Sequence, residues 1–363
     1  MPKCLFVNTY HSGFLAAHLV GGEGLSTRTY AELHESLMAA KFGASDYGSA
    51  GLRKAGWIAA DIVVNCEPLG RAWARENGSA AAGLGVAIEQ ARALAPDVVY
   101  VKDLNATPRE FFNAVRPRVG LLVAETSTPI GAHVPIDAID LVISSLPTVV
   151  SDLRAAGVAA AYQPLAFSSP SSVAEVQKPW SERPIDVSFV GGVSSEDPER
   201  TAFLEALTPR TPIRVWGYGK DSLPASSSLR ARHGGEAWGA FMQAKLGDSK
   251  LTVNRHARAG RYANNRRLFE ATGAGALLVT DFRDNLDELF VIGEEVVAYR
   301  SAGECASLVQ YYLRHPERGE RIARAGQART LRDHHYDKRM QETAALLSRH
   351  LRSPRDATFA GAA

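Results

Sequence analysis

Short apolar runs alternate with longer amphipathic stretches along almost the whole chain, and this alternation limits the fold more than any other feature. In the first half, the apolar runs are residues 4–7, 58–64, 98–101, 120–124, 141–143 and 158–162. The amphipathic stretches between them include residues 30–42, 69–76, 86–95 and 109–115. A strand whose two faces are both covered by helices is apolar along its whole length. The pattern therefore predicts an α/β fold with parallel sheets.

The alternation is interrupted once, between residues 167 and 184, where serine, proline and charged residues show no usable period. A second series of apolar runs follows at residues 185–190, 213–216, 251–253, 276–279 and 296–299. Because 363 residues exceed what one ordinary core holds, we predict two Rossmann-like domains that face a cleft. The predicted divisions are an N-terminal domain (1–166), a linker (167–184), a C-terminal domain (185–335), a last helix (336–352) and a disordered tail (353–363).

The bulk composition is that of a globular chain without a strongly charged partner. The chain is 45% hydrophobic and 22% charged, and its formal net charge of +2 predicts no nucleic-acid partner. Its three cysteines lie far apart in the sequence, and their spacing fits neither a disulfide framework nor a zinc site. No apolar run approaches the ~18 residues of a membrane span, and the N-terminus has no signal-peptide pattern. We expect a cytoplasmic protein, for which peripheral contact with a membrane surface is left open.

The segment that begins at Asn254 and reads NRHARAGRYANNRRLFEATGAGALLVTD carries the clearest functional pattern. A predicted strand ends at Asn254, a basic loop follows, and a helix predicted over residues 265–272 carries Glu270. Asn264, Asn265 and backbone N–H groups at a helix N-terminus suit a diphosphate. A carboxylate in the helix can accept both ribose hydroxyls. We predict a nucleotide site here, against the structural alternative of a solvated basic face with a helix-favouring glutamate.

Further candidates follow the neighbouring strands of the second half. Gly191 and Gly192 end its first strand, where the missing side chain lets a phosphate approach the backbone. Tyr218 follows the next strand, where it could stack on a base or cap the core. The complete predicted donor-binding set is Gly191, Gly192, Tyr218, Arg255, Tyr262, Asn264, Asn265, Arg266 and Glu270.

Polar residues of the first half also follow predicted strand ends and would face the same cleft. His11 comes after the first strand, and an imidazole suits a general base that works near neutral pH. Glu67 and Glu125 are the other candidates for a catalytic base, and Asn65 lies on the same side. Each of these residues also has a structural interpretation, as a surface histidine, a cap or a salt-bridge partner.

These residues together resemble a known family. The segment 254–281, with EEVVAY (294–299), YYLRHPE (311–317) and IARAGQ (322–327), resembles the C-terminal domain of bacterial group 1 glycosyltransferases, in the spore-maturation-protein-B-like (CgeB-like) branch. The similarity extends through FVGG (189–192), VWGYG (215–219), GGEAWG (234–239) and FGASDY (42–47). The resemblance implies the GT-B fold, with the last helix packed on the first domain. It also implies transfer of a hexose from a nucleoside diphosphate sugar to an acceptor in glycan biosynthesis, with no cofactor.

This sequence departs from the family at one position. In the family, a carboxylate pair eight residues apart flanks the donor, and Glu270 matches the second, ribose-binding member. Tyr262 stands where the first carboxylate is expected, so the choice between retention and inversion stays open. The same departure motivates an alternative function, a non-catalytic nucleotide-sugar-binding or regulatory protein on the same fold.

Two missing motifs narrow the function further. No D-x-D is present, so we predict transfer without a metal ion, with the diphosphate neutralised by basic side chains and helix dipoles. No G-x-G-x-x-G follows the first predicted strand, which counts against a nucleotide-dependent oxidoreductase, the second alternative. The sequence does not specify the sugar, the base, the acceptor or the oligomeric state.

Overall fold

The computed structural model describes residues 1–19, 24–43, 45–168, 178–193, 197–256 and 260–352. It contains two α/β domains, each built on one parallel sheet, which confirms the fold expected from the alternation. The predicted tail, residues 353–363, lies outside the described residues, and so do residues 169–177 of the predicted linker. Phe167, at the start of that linker, is buried among side chains of the C-terminal domain.

The N-terminal sheet has strands β1 (Lys3–Asn8), β2 (Ile58–Val63), β3 (Val98–Val101), β4 (Leu121–Thr126), β5 (Leu141–Ser144) and β6 (Ala160–Tyr162). Their spatial order is β2-β1-β3-β4-β5-β6, and each neighbouring pair is parallel. The helices described around this sheet are Ser12–Leu19, Tyr30–Ala39, Tyr47–Lys54, Glu67–Glu76, Leu84–Leu94, Arg109–Val115 and Pro147–Ala155. The chain places β2 on one side of β1 and β3 on the other, so the strand order reverses between β1 and β3.

The C-terminal sheet has strands β7 (Ile185–Val190), β8 (Ile213–Trp216), β9 (Ser249–Asn254), β10 (Leu277–Asp281) and β11 (Val297–Tyr299). Their order is β11-β10-β9-β7-β8, again with parallel neighbours. The helices described here are Pro198–Leu207, Gly239–Gly247, Arg267–Gly273, Leu286–Leu289, Ala302–Arg314 and Pro316–Asp333. The strand order reverses between β7 and β9. Open parallel sheets bind ligands beyond the carboxyl ends of their strands at such a reversal.

Successive side chains of a strand enter cores on opposite faces of the sheet, as the pleat requires. In β1, Leu5 and Val7 pack into one core, whereas Cys4 and Phe6 pack into the other. Leu278 of β10 likewise enters a different core from its two strand neighbours. Burial on both faces explains why these strands are apolar without interruption.

The last helix, Tyr336–Arg352, follows the C-terminal domain in the chain but packs on the N-terminal sheet. Its Met340 is buried in the same cluster as Phe6. It also approaches the helix Tyr47–Lys54 so closely that a Cβ on Gly51 would lie 2.6 Å from the Met340 side chain. One face of the N-terminal core is therefore completed by residues from the far end of the chain.

Several helices end or begin at different residues from those expected, and for two of them local geometry gives the reason. The helix expected over residues 30–42 spans Tyr30–Ala39, since Lys41 and Gly43 have φ angles of 54° and 65°, outside the helical region. The helix expected over residues 265–272 spans Arg267–Gly273. Asn265 lies before it because its side-chain oxygen accepts the Leu268 N–H at 3.2 Å, as a capping residue does.

Candidate functional site

Residues that follow strands of both sheets meet between the two domains. Ser145, just after β5, donates its hydroxyl hydrogen to the Asn264 side-chain oxygen, and the Asn264 amide donates to the Ser127 carbonyl at 2.7 Å. A backbone hydrogen bond of 3.0 Å from Ala240 to Ala40 joins the domains at a second place. Both polar atoms of the Asn264 side chain are thus bonded to the N-terminal domain. Its contact with a diphosphate stays a prediction.

Glu270 lies at the reversal between β7 and β9 and is largely buried. Its carboxylate accepts from Arg267 Nη1 at 2.7 Å, and the exposed fractions of the Glu270 and Arg267 side chains are 14% and 16%. Arg267 Nε in turn donates to the Val190 carbonyl at 2.9 Å. Val190 is the last residue of β7, so this chain of bonds connects the carboxylate with the backbone immediately before Gly191.

The turn after β7 is held against the turn after β8 by backbone contacts. Gly191 N–H donates to the Trp216 carbonyl at 2.8 Å, and Val193 N–H donates to the Tyr218 carbonyl at 3.0 Å. The Tyr218 ring covers Gly192, where an added Cβ would lie 2.3 Å from a ring carbon. Gly192 is buried under this ring, and the N–H groups of Gly191 and Val193 are already bonded, so close packing requires the glycines and their contact with a phosphate stays a prediction.

Aromatic rings from both domains stack beside this turn. The His11 ring lies 5.1 Å from the Tyr218 ring at an interplanar angle of 28°, and the Tyr218 and Trp238 rings lie 5.9 Å apart at 4°. His11 Nδ1 accepts the Gly13 N–H at 3.1 Å, which in the neutral ring leaves the proton on Nε2. Aromatic pairs of this kind contribute about 0.5–1.5 kcal/mol beyond their burial. His11 therefore helps to hold the domains together, and its role as a base stays a prediction.

Asn265 connects its helix with the end of β9. The Asn265 amide donates to the Asn254 side-chain oxygen at 2.9 Å, while its own oxygen caps the helix at Leu268. Asn254 completes the link, because its amide donates to Thr280 Oγ1 at 3.0 Å in β10. The Asn265 side chain is therefore committed to protein groups here, and its predicted diphosphate contact is untested.

The other predicted donor residues lie around the same loop. The Arg255 guanidinium lies 4.6 Å from the centre of the Phe203 ring. Tyr262 is half-buried, and Arg266 Nη1 lies 3.4 Å from the Tyr336 hydroxyl oxygen of the last helix. Burial alone lowers the pKa of the Arg266 guanidinium, but Tyr336, Glu125 and Glu270 outweigh it and the pKa lies above its usual value. Arg266 therefore lies near carboxylates of both domains.

Glu125, a candidate base, belongs to a buried ion pair. It contacts the ammonium group of Lys102, the residue after β3, and accepts from the Tyr100 hydroxyl at 3.0 Å. Burial alone raises the pKa of the Glu125 carboxyl, but the charges of Lys102 and Arg266 outweigh it, and the pKa lies below its usual value. Glu125 is thus ionised and already paired, with side-chain exposures of 7% for Lys102 and 14% for Glu125.

Glu67, the remaining candidate base, is exposed and forms an ion pair with Arg71 one helical turn later. It lies at the wall of a 560 Å³ cavity between the helices Glu67–Glu76 and Leu84–Leu94. Asn65 also lines this cavity and bonds the Tyr10 backbone through both of its side-chain atoms, at 3.0 and 2.6 Å. The cavity therefore opens beside the loop that carries His11.

The structure adds a histidine–aspartate pair that the sequence patterns did not identify. His256 follows β9, Asp281 ends β10, and His256 Nδ1 lies 2.7 Å from Asp281 Oδ1. Asn254 and Thr280 are paired across these strands, so the two side chains emerge next to each other. The sequence shows only that both residues follow consecutive predicted strands; that these strands are neighbours in the sheet is known from the structure.

The described part of the chain contains neither a cluster of metal-ligand side chains nor a membrane-spanning helix. There, no group of three or more histidine, cysteine, aspartate or glutamate side chains is placed to hold a metal ion. Among the same residues, no helix has the length and apolar character needed to span a membrane.

Comparison with known proteins supports a glycosyltransferase family. Residues 200–345 match a protein-family model described as glycosyl transferase-like, which covers most of the C-terminal domain and part of the last helix. No curated protein matches the chain. The family match does not reach the N-terminal domain, and the CgeB-like branch stays a prediction.

The solved structures to which the chain is similar establish its fold as GT-B. HepE from Anabaena in complex with UDP-glucose has a TM-score of 0.57 and 14% identity, covering 96% of this chain and 100% of that one. Sucrose-phosphate synthase from Thermosynechococcus elongatus has a TM-score of 0.57 and 10% identity, covering 96% and 99%. A glycosyltransferase from Rickettsia africae has a TM-score of 0.58 and 9% identity, covering 97% and 99%.

Proposed function

We propose that this chain is a hexosyltransferase of the CgeB-like branch, which binds a nucleoside diphosphate sugar on its C-terminal domain and an acceptor on its N-terminal domain. The glycosyl transferase-like family match over residues 200–345 supports sugar transfer in general. The similar HepE structure contains UDP-glucose, which supports a nucleotide-sugar donor of that chemical class. The proposed compartment is the cytoplasm.

The proposal for the donor site rests mainly on the position of Glu270. Its carboxylate is linked through Arg267 to the Val190 carbonyl, at the reversal between β7 and β9 where parallel sheets bind ligands. A nucleotide whose phosphates approach the backbone at Gly191 would hold its ribose near this carboxylate. Glu270 would then accept from the ribose hydroxyls while Arg267 keeps it oriented.

The N-terminal domain would hold the acceptor, since its own strand ends face the donor across the cleft. The 560 Å³ cavity beside Asn65 and Glu67 offers room for part of an acceptor next to the His11 loop. His11, Glu67 and Glu125 stay the candidate bases. Exclusion of water from the closed cleft would direct the sugar to the acceptor instead of to hydrolysis.

A ligand screen tests the proposal directly. The full chain is heated with UDP, GDP or ADP, with the matching nucleoside monophosphates and nucleosides, and with the corresponding nucleoside diphosphate sugars. Bound ligand raises the Tm by mass action, so one diphosphate and its sugar should raise it well above the monophosphate and nucleoside. The donor selected in this way is then assayed for release of the nucleoside diphosphate. A screen in which no nucleotide changes the Tm at millimolar concentration would contradict the proposal.

The alternative is a protein that binds a nucleotide sugar without transferring it. Tyr262 favours this alternative, because it stands where the related family has a carboxylate close to the sugar. Binding of a donor with no release of nucleoside diphosphate, in the presence of a broad acceptor mixture, would support it. Slow hydrolysis of the donor by the chain alone would already exclude it.

A further inference from the structure

His256 is held rigidly at the carboxyl end of β9 and presents one unpartnered nitrogen. Its Nδ1 lies 2.7 Å from Asp281 Oδ1, which also accepts the His256 backbone N–H at 3.0 Å. Arg283 fixes the second carboxylate oxygen from Nε at 2.9 Å and from Nη2 at 2.7 Å. His256 is only 5% exposed, and its Nε2 is buried without a hydrogen-bond partner among the described residues.

The pairing determines which nitrogen of His256 is available. Burial alone raises the pKa of the Asp281 carboxyl, but the hydrogen bond and charge of His256, together with Arg283, lower it to about 2. Asp281 is therefore a carboxylate near neutral pH and can only accept, so His256 Nδ1 carries a proton. The remaining nitrogen, Nε2, either offers a lone pair or, in the doubly protonated ring, donates a hydrogen bond.

The other buried histidines of the same domain, His233 and His334, also have one nitrogen without a hydrogen-bond partner among the described residues, but neither ring is paired with a carboxylate. His334 Nε2 lies 3.0 Å from the Leu289 carbonyl, and its ring packs against Phe269 and Phe290. Burial lowers the pKa of His334 to about 4, as expected for a core imidazole without a carboxylate partner. His256 differs from it in being paired with a carboxylate at a strand end next to the reversal of strand order.

The place of His256 indicates what its free nitrogen meets. β9 lies beside β7, whose end leads into Gly191 and Gly192, so His256 and this glycine turn follow the two strands between which the strand order reverses. A buried unpartnered polar atom costs about 1–3 kcal/mol, a cost that a bound ligand removes. Arg283 pairs with Asp281, and Arg255, which precedes His256 in the chain, lies over the Phe203 ring; these two cations near the histidine–aspartate pair favour an anionic ligand.

We propose that His256 Nε2 donates a hydrogen bond to the diphosphate of the donor, and that Asp281 and Arg283 hold the ring for this contact. The inference rests on the proposed function and deepens it by adding a residue to the donor site. In the transfer, the bond between the sugar and the β-phosphate oxygen breaks and its electron pair stays on the diphosphate. The sugar forms its new bond to the acceptor oxygen, whose proton goes to a base on the N-terminal side. His256 stabilises the charge left on the diphosphate and keeps its own protons.

Two conservative substitutions separate this contact from a purely structural role. The asparagine amide in His256→Asn reproduces Nδ1 and can keep the bond to Asp281, but it has nothing at Nε2. The longer glutamine in His256→Gln reproduces Nε2 and loses the bond to Asp281. The diphosphate contact predicts that Asn weakens binding more than Gln, whereas a role limited to tethering the loop predicts the reverse order.

The measurement is calorimetric titration of the full chain with whichever of UDP, GDP and ADP gives the largest thermal shift, and with its glucose conjugate. We expect His256→Asn to weaken diphosphate binding about tenfold to a hundredfold, the scale of one charge-assisted hydrogen bond, and His256→Gln to restore part of that loss. His334→Gln is the matched control for removal of a buried imidazole, and it should leave the affinity unchanged. Circular dichroism establishes that each variant is folded.

Three results would overturn the inference. The first is unchanged diphosphate affinity in a folded His256→Asn, beside a wild-type chain that binds. The second is stronger binding by His256→Asn than by His256→Gln. The third is a loss confined to the sugar conjugate, which would assign Nε2 to a sugar hydroxyl. A wild-type chain that binds none of the three diphosphates would instead overturn the proposed function, and this inference with it.

Discussion

In the N-terminal domain, both strands at the reversal, β1 and β3, are followed by residues with side chains, whereas in the C-terminal domain the strand β7 at the reversal is followed by two glycines. Lys102 follows β3 directly and is buried against Glu125, and the His11 ring stacks across to the other domain. After β7 come Gly191 and Gly192, which have no side chain to offer. The two domains have the same strand order, but the residues that follow the strands at the reversal differ.

The difference corresponds to two kinds of ligand. A diphosphate has the same shape in every nucleotide sugar, and backbone N–H groups with a few fixed charges suit it. An acceptor has no such constant group, and side chains must recognise it. The C-terminal reversal, with its glycine turn and fixed arginines, therefore suits the donor, and the N-terminal reversal, with its buried ion pair, suits an acceptor and the chemistry at its hydroxyl. The following experiments test this division, beginning with the largest expected effect.

Of the changes proposed, Lys102→Met should have the largest effect, a loss of stability in the N-terminal domain. The substitution removes the cation that contacts the buried Glu125 and leaves Arg266 as the remaining nearby positive charge; removal of one partner of a buried pair usually costs about 3–5 kcal/mol. Because the pKa of Glu125 is lowered in the folded protein, the pair stabilises above the ordinary carboxyl pKa, and its contribution is lost as the pH falls through the folded value. The free energy of unfolding in urea, measured at neutral and acid pH, checks both statements.

The control is Lys54→Met, which removes an exposed pair with Asp337 whose side-chain exposures are 64% and 42%. Such a pair contributes about 0–1 kcal/mol. Equal losses of unfolding free energy for the two variants at neutral pH would show that the buried Lys102–Glu125 pair stabilises the fold no more than an exposed pair does. The proposed contrast between the two reversals would then not hold for the N-terminal domain.

His11→Phe keeps an aromatic ring in the stack with Tyr218 and removes both nitrogens. If His11 is the base, turnover should fall about 100-fold, within the usual range for loss of a general base, while donor affinity stays the same. The kcat and the dissociation constant of the nucleoside diphosphate are measured on the same preparation. A fall of less than about threefold would limit His11 to stacking and direct attention to Glu67 and Glu125.

Glu270→Gln should weaken the donor site without affecting the acceptor side. A charge-assisted bond contributes about 1.5–3 kcal/mol, so loss of the carboxylate charge should lower affinity for the nucleoside diphosphate about tenfold to a hundredfold. Glu317→Gln removes an exposed carboxylate of the same domain, with a side-chain exposure of 69%, and serves as the control. Calorimetric titration that gives equal affinities for wild type and Glu270→Gln would remove Glu270 from the donor site.

Chelation of divalent metal ions should leave the turnover unchanged. The prediction follows from the missing D-x-D, with basic side chains expected to neutralise the leaving diphosphate. Turnover in excess chelator is compared with turnover in magnesium or manganese. Activity that disappears with chelator and returns with added metal would mean that the C-terminal reversal is completed by an ion.

The fold could be predicted from the sequence because local patterns determine it. Apolar runs reveal strands buried on both faces, and the break after residue 166 separates two such series. Glu270 could be singled out for the same reason, since its helix, the preceding loop and the neighbouring strand are continuous in the chain. The local patterns alone predict two Rossmann-like domains that face a cleft; the GT-B fold, now confirmed, is expected from the family resemblance.

The side-chain contacts within the site could not be predicted from local patterns. Lys102 and Glu125, or His256 and Asp281, are far apart in sequence and meet only because parallel strands carry them to adjacent positions. Asn265 illustrates a second limit. An amide before a helix suits a phosphate or the helix itself, and the structure engages it as a cap. Such choices depend on tertiary neighbours, which a local pattern does not contain.

The packing of the last helix on the N-terminal sheet has a consequence for synthesis of the protein. Leu347 and Met340 cover the face of the sheet that holds Phe6, and they are among the last described residues to be made. At about 5–20 residues per second, translation of residues 167–347 takes roughly 10 to 40 s. During that interval the first domain leaves the ribosome with an uncovered apolar face. A chaperone that shields this face should therefore raise the yield of folded protein. A product truncated before the last helix should aggregate.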